Sequence, residues 1–497
     1  MMSLDFVLNP PLGIDLGTTF SAIARWNGNA AENYKIKGND TLQSAVWYDE
    51  KHNKYLTDRI AYSKTIVFPE NGIIGIKRHM DNGEMLVRLG SRDHTPMELS
   101  SKILSALQSR VAEMFPTGQF KSRGVVVTVP YYFKANQCEN TRKAAELAGL
   151  DCRHILQEPI AASLQYALQM TRDYPKETRE EVILVFDLGG GTFDLTLFKL
   201  SASPDKLKFE VIASDGDDRL GGLDFDQALM DFVLDAEKIS LSTLDPTSAR
   251  RSKAKLLERC KEVKESLSTV ESEYFALGNV VGDRHIEREI TRRDFYNAID
   301  PLVEKINRCI ERLFAKANMV PSIVTRVIKV GGSSKIPYMT ELLCDWVGGE
   351  KVYGNINEDL CVAEGAAVYC AYLDDPDVLG REVEITTRTC HSLGVEVAGG
   401  EFYVLIPANR KAPCEGYQHF APEKQDASNI VIEVFQGASR WVRDNAKVGS
   451  IVLPPHAVAA ATAGQNIEVT FRLDSEQTLT VGWRVGEYGG DTPFLPS

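Results

Sequence analysis

The sequence predicts an α/β protein with two related lobes, followed by a separate all-β domain. Two observations predict the lobes. A strand, a glycine turn and a second strand occur at residues 12–24 and again at 183–198, each with an aspartate before the turn, and strands alternate with helices elsewhere up to about residue 376. A third observation predicts the extra domain: beyond residue 376 helical spacing disappears, and short alternating strands separated by Gly, Pro and Asn follow.

Composition limits the class of protein. The 497 residues are 43% hydrophobic, which is enough for several packed domains. A formal net charge of −13 argues against nucleic acid as a partner. No apolar run approaches the ~18 residues that would span a membrane. The nine cysteines form no Cys-x-x-Cys pair, and residues 1–11 lack the basic start and apolar core of a signal peptide. We therefore expect a cytoplasmic protein.

The two glycine turns predict a phosphate site. In the first, Asp15 precedes Leu16-Gly17-Thr18-Thr19, and in the second, Asp187 and Asp194 flank 189–191, which are all glycine. Glycine lets backbone N–H groups approach an anion closely, because no Cβ intervenes. Two carboxylates would repel a bare phosphate, but they suit one that carries Mg²⁺. Either turn alone would be an ordinary hairpin; the pair predicts two lobes that present loops to one cleft.

Further elements follow in order between and after these turns. A helix is predicted over 95–114, a buried strand over 125–129, a helix ending near Gly149, and another starting at Glu158-Pro159. Beyond the second turn we expect a helix opened by Gly221-Gly222 and a charged helix over 249–268. A further helix is capped by Thr291 and Asp294 and kinked at Pro301. A third glycine turn, Gly331-Gly332-Ser333, follows. From the pattern alone, Glu158 could be only a helix cap, and Lys77 only a surface charge.

Several motifs together resemble the seventy-kilodalton heat-shock chaperone family (heat shock protein 70). They are Asp15-Leu16-Gly17-Thr18-Thr19, Thr128-Val129-Pro130, Glu158-Pro159, Asp187 to Asp194, Gly221-Gly222 with Asp224-Phe225-Asp226, and Val330-Gly331-Gly332-Ser333. Only the phosphate loops are shared with the wider actin and sugar-kinase superfamily. The resemblance implies an actin-like two-lobed ATPase with ribonuclease H-like duplicated halves at 1–376, a linker at 377–388, and a β-sandwich that binds extended peptide at 389–497.

The resemblance also implies the roles of individual residues. The implied catalytic residues are Lys77, Glu158, Asp187, Thr192 and Asp194, and Asp15 and Asp187 would hold Mg²⁺ through water. The implied ATP or ADP contacts are Gly17, Thr18, Thr19, Phe20, Gly189, Gly190, Gly191, Gly221, Gly222, Lys261, Lys264, Ser268, Gly331, Gly332, Ser333, Lys335 and Asp359. The implied peptide pocket is lined by Val395, Phe420, Ile430 and Ile432. A J-domain co-chaperone and a nucleotide exchange factor are the implied partners.

The sequence departs from that family at four places. Glu265 and Lys335 stand where the family has an arginine pair that stacks on the base, and Lys261 replaces an acid, so we expect weaker or altered nucleotide selectivity. Cys138 replaces an arginine that couples the domains. The linker stretch 382–387 carries two glutamates, and we expect these charges to weaken its docking and the coupling. The sequence stops at Ser497, before the helical lid that the resemblance implies, whether the lid is naturally absent or was trimmed, and for this chain we expect rapid peptide release.

Two alternatives to an ATP-driven chaperone stay open at this point. The first is a relative that binds nucleotide, hydrolyses it weakly and acts as a scaffold or co-chaperone; the changes at Glu265, Lys335 and the linker favour it. The second is a small-molecule kinase, which would share the phosphate loops but would leave the β-sandwich without a role.

Overall fold

The protein folds into two α/β lobes and a β-sandwich. The structure, a computed structural model, describes residues 8–36, 38–83, 85–116, 120–173, 177–352, 357–423, 427–474 and 478–494. In these residues, no helix is long and apolar enough to cross a membrane. The predicted fold class is confirmed, and the region of the N-terminus used in the localisation prediction lies mostly outside the described residues.

The first lobe contains a mixed central sheet and two small sheets. Its strands are β1 (Leu12–Asp15), β2 (Phe20–Trp26), β3 (Ala31–Asn33), β4 (Leu42–Gln43), β5 (Ala45–Asp49), β6 (Lys54–Thr57), β7 (Gly72–Ile74), β8 (Val87–Leu89), β9 (Arg92–His94), β10 (Val125–Val129) and β11 (Cys152–Gln157). Its helices are α1 (Asp58–Val67), α2 (Pro96–Ala112), α3 (Ala135–Leu147) and α4 (Glu158–Asp173). The central order is β11-β10-β1-β2-β3, with β4 on β2. Every residue of β10 is buried, as expected for an interior parallel strand.

The second lobe repeats this plan. Its strands are β12 (Arg179–Leu188), β13 (Phe193–Ala202), β14 (Lys206–Asp217), β15 (Ser272–Val281), β16 (Arg284–Thr291), β17 (Arg326–Val330) and β18 (Glu382–Thr386). Its helices are α5 (Gly222–Glu237), α6 (Pro246–Leu267), α7 (Arg292–Ala317) and α8 (Pro337–Val347). The order β17-β12-β13-β14 matches β10-β1-β2-β3: in each lobe a hairpin is extended by an antiparallel strand and flanked by a parallel one. The predicted duplication is therefore present.

Two helices cross at the base of the cleft between the lobes. Helix α4 of the first lobe packs against α9 (Cys361–Asp374), which also contacts β1 and β2. At their crossing, a Cβ on Gly365 would lie 1.8 Å from the carbonyl oxygen of Ala161, so only glycine allows this approach.

The C-terminal domain is a sandwich of two four-stranded sheets. Its strands are β19 (Ser392–Val397), β20 (Glu401–Ile406), β21 (Cys414–Phe420), β22 (Val431–Gly437), β23 (Ala446–Val452), β24 (Ile467–Leu473), β25 (Leu479–Val485) and β26 (Tyr488–Phe494). One sheet has the order β20-β19-β22-β23 and the other β21-β24-β25-β26. The predicted sandwich also carries one short helix, α10 (Pro455–Thr462), which inserts Ala457, Val458 and Ala461 into its core.

Candidate functional site

A cleft of about 640 Å³ lies between the two lobes. Most of the predicted site residues line it: Asp15, Gly17, Thr18, Thr19, Phe20, Lys77, Glu158, Asp187, Gly189, Gly190, Thr192, Gly222, Lys261, Lys264, Ser268, Gly331, Gly332, Ser333, Lys335 and Asp359. Gly191, Gly221 and Asp194 are not in this lining. Gly191 belongs to the second glycine turn itself, Gly221 packs against that turn, and Asp194 lies opposite Asp187 in the strand ladder.

The strand ladders explain why the aspartates converge. Asp15 ends β1 and lies opposite Ala22 of β2. Asp187 lies opposite Asp194 in the equivalent β12–β13 ladder, one residue pair before that hairpin turns. Both Asp15 and Asp187 line the cleft, as the sequence predicts.

Lys77 lies in this group of acids and not on the surface. It follows β7 in a short 3-10 turn, its side chain is only 5% exposed, and its Nζ donates to Glu158 Oε1 at 2.6 Å. Burial opposes a charge on Lys77, but Glu158 and Asp15 outweigh burial and hold its pKa above the ordinary value. Glu158 is the first residue of α4, as predicted, and its contact with Lys77 goes beyond a capping role.

Asp15, Asp187 and Asp194, three carboxylates close to Lys77, have raised pKa values. Burial, followed by the charge of Glu158, raises the pKa of Asp15 to about 7 and that of Asp194 to about 8. Burial, then the charges of Glu158 and Asp194, raises the pKa of Asp187 well above its ordinary value. Perturbed acids gathered in one cleft are typical of a functional site.

This cluster fits a hydrated divalent cation. Four buried or nearly buried carboxylates surround a single lysine, so a cation would offset their mutual repulsion. Across the described part of the chain, no three His, Cys, Asp or Glu side chains are arranged to ligate a metal directly. Mg²⁺ keeps several of its waters when bound, so contact through water suits both the ion and these residues.

The second glycine turn is braced from behind by the start of α5. The amide of Gly222 donates to the carbonyl of Gly189 at 3.0 Å, and that of Leu223 to Gly190 at 2.9 Å. A Cβ on Gly190 would lie 1.9 Å from Thr19 Oγ1, and one on Gly221 would lie 2.6 Å from the Gly191 nitrogen. Two glycine turns and a helix N-terminus therefore meet with no room for side chains. The first amides of α5 are used to brace the second turn, so an anion would rely on the amides of the turns themselves.

The opposite end of the cleft is more open and carries the residues that depart from the family. Lys335 pairs with Asp359 at 2.6 Å, and both side chains are more than 40% exposed. Lys261 donates to the Tyr62 hydroxyl at 2.9 Å. Glu265 is exposed at the rim. Lys264, in contrast, is buried and pairs with Asp226, which is also buried, at 2.7 Å.

Three contacts in the site were missed by the sequence analysis. Arg78 reaches from the first lobe to the Gly191 carbonyl and to Asp224 of the second lobe. Tyr62 of α1 meets Glu258 and Lys261 of α6 across the cleft. Asp226 pairs with Lys264. Position in the sequence could have indicated the contact between Arg78 and Asp224. Arg78 directly follows Lys77, and Asp224 lies two residues after Gly222.

The four predicted peptide-binding residues lie in or against the sandwich core. Val395 is 3% exposed and Ile432 is 6% exposed. Phe420 and Ile430 are half-buried and pack against that core, and Phe420 makes an edge contact with Tyr403. A role in binding peptide stays a prediction.

The linker is docked, contrary to the expectation that its charges weaken docking. Strand β18 pairs in parallel with β14, in a register that runs from Lys206–Glu382 to Glu210–Thr386. Val383 is buried, whereas the two glutamates face outward. Lys206 Nζ lies 2.9 Å from Glu382 and 2.7 Å from Glu384, which also meets Lys208 at 3.2 Å. The carboxylates are paired at the surface, so the expected cost of burying an unpaired charge does not arise.

The sandwich contacts the first lobe close to Asp194, one of the acids with a raised pKa. His391 Nε2 lies 3.0 Å from the carbonyl oxygen of Tyr132, whose amide donates to Asp194 Oδ1 at 2.9 Å. Nearby, the amide of Ala135 donates to Gln436 Oε1 at 2.8 Å. Cys138 is buried beside a cavity of about 20 Å³ at this interface. Cys138 therefore lies close to the contact between the two domains.

The duplicated sheets and the shared cleft define an actin-like nucleotide-binding domain, joined here to a β-sandwich. Residues 79–485 match the family model described as "Hsp70 protein". The chain is also 34% identical over 478 residues to "Chaperone protein DnaK" from two strains of Halobacterium salinarum, which covers 95% of this chain and 72% of each relative. The chain belongs to the Hsp70 family. Proteins of this family bind ATP or ADP with Mg²⁺, in agreement with the residues of the cleft.

Proposed function

We propose that this protein is an ATP-dependent chaperone that grips extended hydrophobic segments of unfolded polypeptides and controls that grip by hydrolysing ATP. Membership of the family supports a chaperone function and an ATPase. The control of peptide binding by ATP is proposed from one observation, a short path of contacts from the cleft to the sandwich. Asp194 accepts a hydrogen bond from the amide of Tyr132, and the carbonyl oxygen of Tyr132 lies against His391 of the sandwich.

Hydrolysis would use the buried end of the cleft. The amides of 17–19 and 189–191 would hold phosphates, and Lys77 would lie against the γ-phosphate and the attacking water. Mg²⁺, held through water by Asp15 and Asp187, would supply charge neutralisation. Glu158 fixes Lys77 by its 2.6 Å ion pair. Thr192, which lines the cleft, would orient the water, with Asp194 nearby, since phosphoryl transfer depends on positioning more than on covalent chemistry.

Peptide binding would use the sandwich. An extended peptide would pair through its backbone with a strand edge and place a side chain between Val395, Phe420, Ile430 and Ile432. Because these side chains are in or against the core, peptide binding would require the sandwich to open locally at this point. A J-domain co-chaperone and a nucleotide exchange factor are the proposed partners, and the cytoplasm is the proposed location.

Phosphate release with and without an unfolded peptide tests this function. We expect slow release that peptide stimulates, and peptide release that MgATP accelerates. Nucleotide binding with no stimulation would favour a scaffold that hydrolyses weakly, and ATP consumption only with a sugar present would favour a small-molecule kinase. A control peptide of the same length without apolar residues should not stimulate release.

A further inference from the structure

Arg78 is a neighbour of Lys77 in the chain, but its side chain goes to the other lobe. Both residues lie in the same 3-10 turn, Ile76–His79. Lys77 pairs with Glu158 of the first lobe at 2.6 Å. Arg78 Nε instead donates to the carbonyl oxygen of Gly191 in the second lobe at 3.0 Å. One turn of backbone therefore connects the predicted catalytic lysine to the second glycine loop.

Arg78 also makes a two-pronged ion pair. Its Nη1 lies 3.3 Å from Asp224 Oδ1, and Nη2 donates to Asp224 Oδ2. The two side chains are only 20% and 27% exposed. Such pairs between guanidinium and carboxylate are directional as well as strong, because two parallel bonds fix the plane of both groups.

Asp224 is itself fixed to the glycine loop. Its Oδ2 accepts from the amide of Gly221 at 2.8 Å, in the capping box of α5. The next two amides of α5 hold the carbonyls of Gly189 and Gly190. The guanidinium of Arg78 thus contacts two parts of one rigid unit, the second glycine loop and the start of α5.

We propose that Arg78 is a positioning residue that sets Lys77 in register with the second glycine loop when the lobes close. It acts through Lys77 and Gly191 and does not touch the nucleotide. Hydrolysis then requires both lobes in one arrangement, whereas binding of ADP, which lacks the γ-phosphate, does not depend on that register. This inference rests on the proposed ATPase function.

The chemistry requires arginine at this position. Three donors in one plane serve Gly191 and both oxygens of Asp224, and a lysine ammonium cannot reach all three acceptors with that geometry. The molecule also offers a matched control. Arg219 and Asp81 form another ion pair between the lobes at 3.2 Å, but Arg219 is 74% exposed and the pair makes no contact with the loop 189–191 in the described contacts.

The test uses the full chain with Arg78→Ala, Arg78→Lys, Asp224→Asn and Arg219→Ala. Single-turnover ATP hydrolysis gives the catalytic rate, calorimetry gives the Kd for ADP, and a thermal midpoint checks folding. We expect Arg78→Ala to lower the rate about 10- to 100-fold, with the Kd for ADP changed by less than about threefold. Arg78→Lys should lie between Ala and wild type, and Arg219→Ala should match wild type.

The variants should also be coupled. Asp224→Asn removes the ion pair but keeps the cap, because the amide oxygen of the new side chain can still accept from the Gly221 amide. The double variant with Arg78→Ala should therefore be no slower than Arg78→Ala alone. Unchanged rates, an equal loss of rate and ADP affinity, or the same loss in Arg219→Ala would overturn the inference. If Arg78→Ala fails to fold, Arg78→Lys decides by the same criteria. A wild type that binds ADP but releases no phosphate would instead overturn the proposed function.

Discussion

The buried ion pair at the proposed catalytic end of the cleft differs from the ion pairs along the linker strand. Lys77 and Glu158 are 5% and 8% exposed and lie among further acids with raised pKa values. The lysines and glutamates that join β14 to β18 are 38% to 65% exposed and nearly balanced in charge. Water and salt screen the second group but hardly reach the first. The same residue types are therefore proposed to serve catalysis where they are buried and salt-sensitive docking where they are exposed.

Removing Lys77 should have the largest effect. Lys77→Met keeps the volume but leaves Glu158, Asp15 and Asp187 without a positive neighbour, so we expect ATP hydrolysis to slow about 100- to 1,000-fold. Single-turnover phosphate release measures this loss. Lys143→Ala, at an exposed pair with Glu139 on α3, should have no effect. Hydrolysis at the wild-type rate in Lys77→Met would remove the distinction between the two groups.

Acid should undock the sandwich through His391, a buried group at the interface. Burial, together with Lys134 and Lys316, outweighs the bond to Tyr132 and lowers its pKa to about 4. The undocked imidazole would titrate near 6.5, so it binds a proton first, and docking weakens as pH falls from about 6.5 towards 4. At pH 5 the docking constant should be about 20-fold below its value at neutral pH.

Energy transfer between dyes on the ATPase domain and the sandwich measures this docking. His391→Asn keeps a polar side chain but cannot titrate in this range, and it should abolish most of the pH dependence. A wild type whose docking is constant between pH 7 and pH 5 would contradict the expectation.

Substitutions at the opposite end of the cleft, around Glu265 and Lys335, should have a moderate effect on ATP binding. Replacing Glu265 and Lys335 by arginine would place two planar guanidinium groups at the rim. Stacking on the base should tighten ATP binding about 3- to 10-fold by calorimetry. Lys255→Arg, exposed on the same helix, is the control. Wild-type binding that is already tight and specific for ATP would count against altered selectivity.

The linker should give the smallest effect and the one most sensitive to salt. We expect docking of β18 to weaken about two- to fivefold when salt rises from low to high ionic strength. Reversing Lys206 and Lys208 to Glu should weaken it at low salt, and reversing Glu382 and Glu384 as well should restore it. Reversing the exposed Lys199–Glu180 pair, on β13 and β12, should leave docking unchanged. Cleavage of the linker by a protease reports its release.

Sequence patterns were sufficient for the lobes and for most of the cleft. Short motifs at strand ends, such as Asp15 before its glycine turn, keep their local geometry whatever surrounds them. Contacts between lobes were not predictable in the same way, since Arg78 meets Asp224 over 146 residues of sequence. The linker was mispredicted because its partners, Lys206 and Lys208, lie on another strand and only the fold brings them opposite the glutamates.

The parallel pairing of β18 with β14 has a consequence for the undocked protein. When β18 leaves, β14 becomes the border of its sheet and exposes a row of unsatisfied amides and carbonyls. Such a border is a template for any extended chain, including the polypeptides that the sandwich is proposed to hold. Self-association can then begin at this exposed edge of β14, and the solubility of the protein should be lowest when the two domains are apart.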